Sequence, residues 1–161
     1  MSKKRKGFLF RFPLIAKEKN GTITITPDSQ GSCYKHWDSS TNTLSFSKDD
    51  FRFMSRDDHH YVEFTLEDRT SKKLRFPVNP KHAMWVINGQ NCPTATDTCV
   101  YDTVEPLAVF DGDTLLAVNL NRVKGKQLGF ALNFVKDGDD DTDPVNYIPW
   151  DPIINNRDGG S

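Results

Sequence analysis

Apolar and polar residues alternate with a period of two from one end of this chain to the other. No window of eleven or more residues carries the i, i+3, i+4, i+7 stripe of an amphipathic helix. In the opening segment Phe8, Phe10 and Phe12 share one face and Leu9 and Arg11 the other, and Pro13, which cannot donate to a ladder, marks an edge strand or its end. Thr22 to Thr26 alternates strictly with Ile23 and Ile25 inward, and Leu44 and Phe46 form a shorter pair. Tyr61 to Leu66 presents Val62, Phe64 and Leu66 to one side. After the charged stretch Glu67 to Ser71, Leu74, Phe76 and Val78 are expected to return beside it as a hairpin. Met84 to Ile87 ends at Asn88-Gly89, and Leu107 to Phe110 meets Leu115 to Leu120 across Asp111-Gly112-Asp113. In Leu128 to Val135, Phe130, Leu132 and Phe134 alternate with Gly129, Ala131 and Asn133. This spacing predicts an all-β, antiparallel Greek-key domain of about eight or nine strands, a β-sandwich or a barrel.

Composition agrees with extended structure. The chain has 161 residues, enough for one ordinary core, and holds 30 β-branched residues against 6 alanines. Of its 22 acidic residues 18 are Asp, which favours turns, and only Glu18, Glu63, Glu67 and Glu105 are Glu. Eighteen aromatic residues exclude a disordered chain. The expected organisation is a basic N-terminal tail over residues 1–6, one β-sandwich domain over 7–157 and a Gly-rich end over 158–161.

A net charge of −1 offers no general attraction to nucleic acid or to an acidic membrane, and Lys3-Lys4-Arg5-Lys6 reads as a solvated tail. No apolar run reaches the roughly 18 residues of a transmembrane helix, and Arg11 interrupts Phe8-Leu9-Phe10 too early for a signal sequence, so a soluble cytoplasmic protein is expected. Asn20-Gly21-Thr22 matches a glycosylation acceptor but reads as a turn between strands. Cys33, Cys92 and Cys99 are an odd, sparse set unlike a secreted disulfide framework, which leaves open a Cys92–Cys99 closure.

The candidate chemistry is thin. Asp137 to Asp143 begins like a calcium loop, but its sixth position is Thr142 rather than Gly and its twelfth is Ile148 rather than Glu, so a solvated turn is expected. Cys33 and His36 have C-x2-H spacing, but Cys92 and Cys99 are too far apart for the usual second half of a zinc site. His59 and His60 follow Arg56-Asp57-Asp58, imidazole beside carboxylate, yet no nucleophile elbow, zinc-protease helix or phosphate-binding glycine loop accompanies them. Trp85 sits in an apolar run and is expected to pack, whereas Trp37 and Trp150 are the better candidates for an exposed, ligand-stacking contact.

The segment Tyr147-Ile148-Pro149-Trp150-Asp151-Pro152-Ile153-Ile154-Asn155-Asn156, preceded by Asp111-Gly112-Asp113-Thr114-Leu115 and Phe130-Ala131-Leu132, resembles the ending of the small bacterial DP-EP proteins. More distantly it is similar to the inclusion-body-protein type. The resemblance implies an immunoglobulin-like β-sandwich and carries no catalytic residues. The chain departs from the pattern in the loops Cys33 to Asn42 and Asn91 to Thr103, so no binding surface transfers with it. Without the family, Pro152 biases Asp151 toward extended geometry, which sets the chain to run along a sheet edge with Ile153 and Ile154 offered to it.

The function expected is a non-enzymatic binding, assembly or structural module with no catalytic set, cofactor or metal. Self-association through an edge strand such as Phe8 to Phe12 is the expected partner mode. The alternative is a small-ligand or carbohydrate-binding protein using Trp37, Trp150 and loop Asp and Asn residues, with or without Ca²⁺. An enzyme using His59 or His60 ranks third.

Overall fold

The computed structural model describes residues 7–31, 34–46, 59–120 and 126–156. The basic tail Lys3 to Lys6, Cys33, the run Arg56 to Asp58 and the end Asp158 to Ser161 lie outside the described residues.

Two sheets face one another. The first holds β1 (Gly7–Lys19), β2 (Thr22–Pro27), β5 (His59–Asp68), β8 (Val104–Phe110) and β9 (Thr114–Asn119), in the order β2-β1-β5-β9-β8. The second is built on β10 (Lys126–Lys136). On one side β10 pairs with β11 (Ile148–Trp150) and β12 (Ile153–Asn156), and on the other with β6 (Leu74–Arg75) and β7 (Met84–Asn88). Beyond β12 come β4 (Thr43–Phe46) and β3 (Trp37–Asp38). A single helical turn, α1 (Pro80–Ala83), is capped by the Asn79 side chain. No helix among the described residues is long and apolar enough to cross a membrane.

The all-β expectation holds, with three corrections. The sheets are mixed rather than antiparallel, because β1 runs parallel to β5 and β4 parallel to β12. Among the described residues twelve strands are present where eight or nine were expected, since pieces of two to four residues such as β3, β11 and β12 alternate too briefly to register as a pattern. Leu74 to Val78 does not return beside β5. The Asp68 carboxylate accepts from Thr70 N, Thr70 Oγ1 and Leu74 N, which bends the chain out of the first sheet, so Leu74 and Arg75 join β10 and Val78 is left 75% exposed. Strand β1 is flanked on both sides only from Leu14 to Ala16; Gly7 to Pro13 pair with β5 and not with β2, so the Phe8 to Phe12 stretch lies at the sheet margin as expected, and β2 forms the edge beyond it. The β1–β2 hairpin closes on Asn20 and Gly21, at φ 52° and 78°, as the turn reading expects. Its register turns Pro13 toward the β2 side one residue past the last pair, Leu14 with Pro27, where no donor is needed.

The core between the sheets is aromatic. Phe12 and Phe64 of the first sheet meet Phe130 and Trp150 of the second, with ring centroids 5.9 Å apart for Phe12–Trp150 and Phe64–Phe130 and 5.7 Å for Phe130–Trp150. Trp150 is therefore a core residue, 7% exposed, and not the surface contact expected of it. Trp37 is half-buried with its ring 5.4 Å from that of Trp150. Trp85 packs half-buried against Tyr147, as the packing reading expects.

Strand β10 is buried on both faces from Leu128 to Val135. One face enters the core; Asn91 and α1 lie on the other, while Val100 and Tyr101 bond along the far edge of β7. Val100 N donates to Val86 O, the Tyr101 hydroxyl to Met84 O, and Asn133 Nδ2 to His82 O. Gly129 makes this possible, because a Cβ there would collide with the Asn91 carbonyl oxygen. Opposite β10, the Asp151-Pro152 step interrupts the ladder between β11 and β12 without changing its register, and Phe130 N donates to Pro152 O. The chain thus runs beside β10 as Asp151-Pro152 suggested, with Ile154 buried, while β4 continues the sheet on its far side.

Trp150→Ala removes the ring shared by both sheets and is expected to destabilise the protein by about 3–5 kcal/mol, read by urea unfolding.

Candidate functional site

On the outer face of the second sheet a cleft of about 390 Å³ is lined by Asp38, Thr41, Thr43, Ser45, Gln90, Gln127 and Ile153. Period-two alternation explains its floor. Leu44, Leu128 and Ile154 point into the core, so their neighbours Thr43, Ser45, Gln127 and Ile153 point out. Register brings Asp38 beside Thr43 and Thr43 beside Ile153, so residues far apart in sequence form one row.

The two walls are loops. On one side Asp38 Oδ1 accepts from Ser40 N at 2.9 Å and from Ser40 Oγ at 2.6 Å, closing a tight turn that ends at Asn42, φ 52°. Asn42 then ties the turn to the sheet. Its carbonyl accepts from Ile153 N and its amide donates to Asp151 O. On the other side, Asn91 lies over Gly129, and the Gln90 side-chain amide donates to Gln127 Oε1. The Cys92 thiol, 3.7 Å from Asp151 O, secures the same loop from below.

The lining is made of hydroxyls and amides with one carboxylate and one aliphatic side chain. The Ser40 hydroxyl, followed by the Ser40 backbone N–H, holds the Asp38 carboxyl below the usual aspartate range, so it is anionic at neutral pH. The lining residues include no histidine, cysteine or second carboxylate. A general acid needs a raised pKa, whereas the one carboxyl in the described lining is held low. The arrangement suits recognition of a polar molecule by hydrogen bonds.

The other candidates fall elsewhere. His59 and His60 open β5 in the first sheet, away from the cleft strands, and their side chains lie outside the described set. His36 packs edge-on against Phe10, and its C-x2-H partner Cys33 lies outside the described residues. Cys92 and Cys99 are free thiols, and burial, helped by Asp151, pushes the Cys92 thiol up, away from a reactive thiolate. Among the described residues no group of three or more His, Cys, Asp or Glu is placed to hold a metal ion.

The acidic loop Asp137 to Asp143 spends most of its carboxylates on its own backbone and its neighbours. Asp140 Oδ1 takes Thr142 N and Oγ1, and Asp143 Oδ1 takes Val145 N. Asp141 Oδ2 reaches across to Val78 N and Arg75 Nη1, both at 3.0 Å. Trp37 and Trp150 turn into the core, so neither forms an aromatic platform among the described residues of the cleft. The lining residues themselves were not singled out from sequence. The one available signal was period-two alternation, which marks Thr43, Ser45 and Gln127 as outward without saying that they are neighbours.

No family model matches the chain, and no curated protein matches its sequence.

Two predictions follow from these loops. Gly129→Ala is expected to cost about 1–3 kcal/mol in chemical unfolding and to shift the amide resonances of residues 89–92, because the new methyl must lift Asn91 off the sheet. For Asp141, the Val78 N–H and then the Arg75 guanidinium hold the folded carboxyl below its ordinary value. The contribution is therefore present at neutral pH and is lost as acidification passes down through that lowered value. Asp141→Asn should lower stability at pH 7 by about 1–2 kcal/mol and flatten the acid limb of a stability-against-pH curve.

Proposed function

We propose that this protein is a non-enzymatic binding module whose cleft takes a small polyhydroxylated ligand. The cleft itself carries the reading: hydroxyls and amides contributed by β4, β10 and two loops converge with the ionised Asp38 carboxylate of β3 in a space of about 390 Å³. Such groups donate and accept in turn, which matches the alternating donors and acceptors of a polyol, and Ile153 offers a C–H patch. Recognition here is by hydrogen bonding rather than by stacking on tryptophan.

The likeness of the C-terminal segment to the DP-EP proteins belongs to the same proposal, with a Greek-key, immunoglobulin-like connectivity as its finer form. It is supported by facing sheets that exchange the chain after β2 and β5, and it has to accommodate the parallel pairs of β1 with β5 and β4 with β12.

The test is a heteronuclear NMR titration with a panel of neutral mono- and disaccharides and linear polyols. At least one should move the amides of residues 38–45, 89–92 and 127 together, and Thr43→Val with Ser45→Ala should weaken that ligand about ten-fold or more. Affinity should be flat at neutral pH and fall in acid as Asp38 protonates. A panel that leaves the cleft amides unmoved, or a double variant that binds as the wild type does, removes the proposal.

A further inference from the structure

We infer that β2 is a docking edge for a second copy of this chain, which would join two first sheets into one continuous sheet across a two-fold axis at Thr24. The argument begins with the hairpin. A two-residue loop at Asn20-Gly21 closes on the hydrogen-bonded pair Lys19 and Thr22, so Thr22, Thr24 and Thr26 turn their backbone groups toward β1. Ile23 and Ile25 then turn their N–H and C=O groups to the open side, where none of the described residues takes them.

Several other edges among the described strands are blunted. Strand β8 carries Glu105, Pro106 and a bulge between Pro106 and Ala108. Strand β3 is two residues long and ends on Asp38, and β11 has Pro149 at its centre. Strand β2, Thr-Ile-Thr-Ile-Thr-Pro, has no charge, no bulge and no proline before its last residue.

A second copy is the occupant because the edge is self-complementary. Setting Ile23 opposite Ile25 of the other copy places Ile25 opposite Ile23 in return, each pair exchanging both backbone hydrogen bonds. Pro27, which lacks an N–H, falls where that ladder stops. The two-fold axis keeps the faces matched. Half-exposed Ile23 meets buried Ile25 on the core side, and the exposed threonines pair outside as Thr24 with Thr24 and Thr22 with Thr26, in close non-hydrogen-bonded positions. Charge does not oppose the join. The nearest cations on that face, Lys17 of each copy, sit beside Thr24 on β1 and end three strand spacings apart, about 14 Å, beyond the screening length at physiological salt. An interface limited to one short edge makes a weak, concentration-dependent dimer.

Sedimentation velocity of the full chain up to about 1 mM tests this, with two variants at the axis. Wild type is expected to move from monomer to dimer as concentration rises. Thr24→Lys and Thr24→Glu each place like charges face to face, on an exposed position that leaves the core untouched, and each should weaken self-association at least ten-fold. An equimolar mixture of the two should recover a dimer as tight as wild type or tighter. Thermal unfolding of each variant alone checks that the monomer is intact. Wild type that stays monomeric throughout, or charge variants that dimerise as wild type does, overturns the inference. So does a mixture that fails to recover the dimer.

Discussion

The structure depends on burying one strand from both sides. An antiparallel sheet normally turns one face to water, and a strand in it then alternates apolar with polar residues. From Leu128 to Val135, β10 is buried throughout. Its core-facing side chains, with Phe130 at their centre, meet the Trp150 cluster, and its other face needs a cover that the sheets cannot supply. That cover is irregular chain, α1 and the loop that lays Asn91 on Gly129, and irregular chain brings polar backbone with it. Hence Asn133 donates to His82 O, and along the far edge of β7 Val100 N–H bonds to Val86 O and the Tyr101 hydroxyl to Met84 O. Burial, followed by the neighbouring Cys99, pushes the Tyr101 phenol far up, so it remains a donor at any ordinary pH.

The cleft is a by-product of the same constraint. Because Gly129 lets Asn91 descend onto the sheet, Gln90 stands beside Gln127 and forms a wall above residues that would otherwise be a flat solvent face. The opposite wall is the Asp38 to Asn42 turn. Both walls are loops, so the irregular parts of the chain make the sides of the cleft and the regular strands make its floor. The same division governs the acidic residues. Asp38, Asp68, Asp140, Asp141 and Asp143 each close a turn or tie a loop by accepting backbone N–H groups. A chain that uses Asp in this way is rich in acid without being rich in acid chemistry.

Much of the fold was legible in the sequence because its cause is local. Period-two alternation located β1, β2, β4, β5, β7, β8, β9 and β10, and Asn20-Gly21 and Asp111-Gly112 marked turns whose positive φ values the structure contains. What was illegible is set by long-range pairing. Nothing near Gly7 to Ala16 announces a parallel partner at His59 to Asp68, and Leu74 looked like a hairpin return because its departure is decided by three hydrogen bonds to Asp68. Trp150, flanked by two prolines, read as exposed, yet those prolines hold an extended segment against β10 and so deliver the ring to the core. The cleft residues were invisible for the same reason, since register alone brings Asp38, Thr43, Ile153 and Gln127 together.

Native-state hydrogen exchange reads the burial of β10 directly, strand by strand. If both faces are sealed as described, the amides of residues 128–135 exchange only through global unfolding, with the same free energy as the core strand β5. Exchange of the β10 amides through a local opening far below the global value, while β5 stays protected, would contradict the account, because it would mean that α1 and the loop after β7 do not close the outer face.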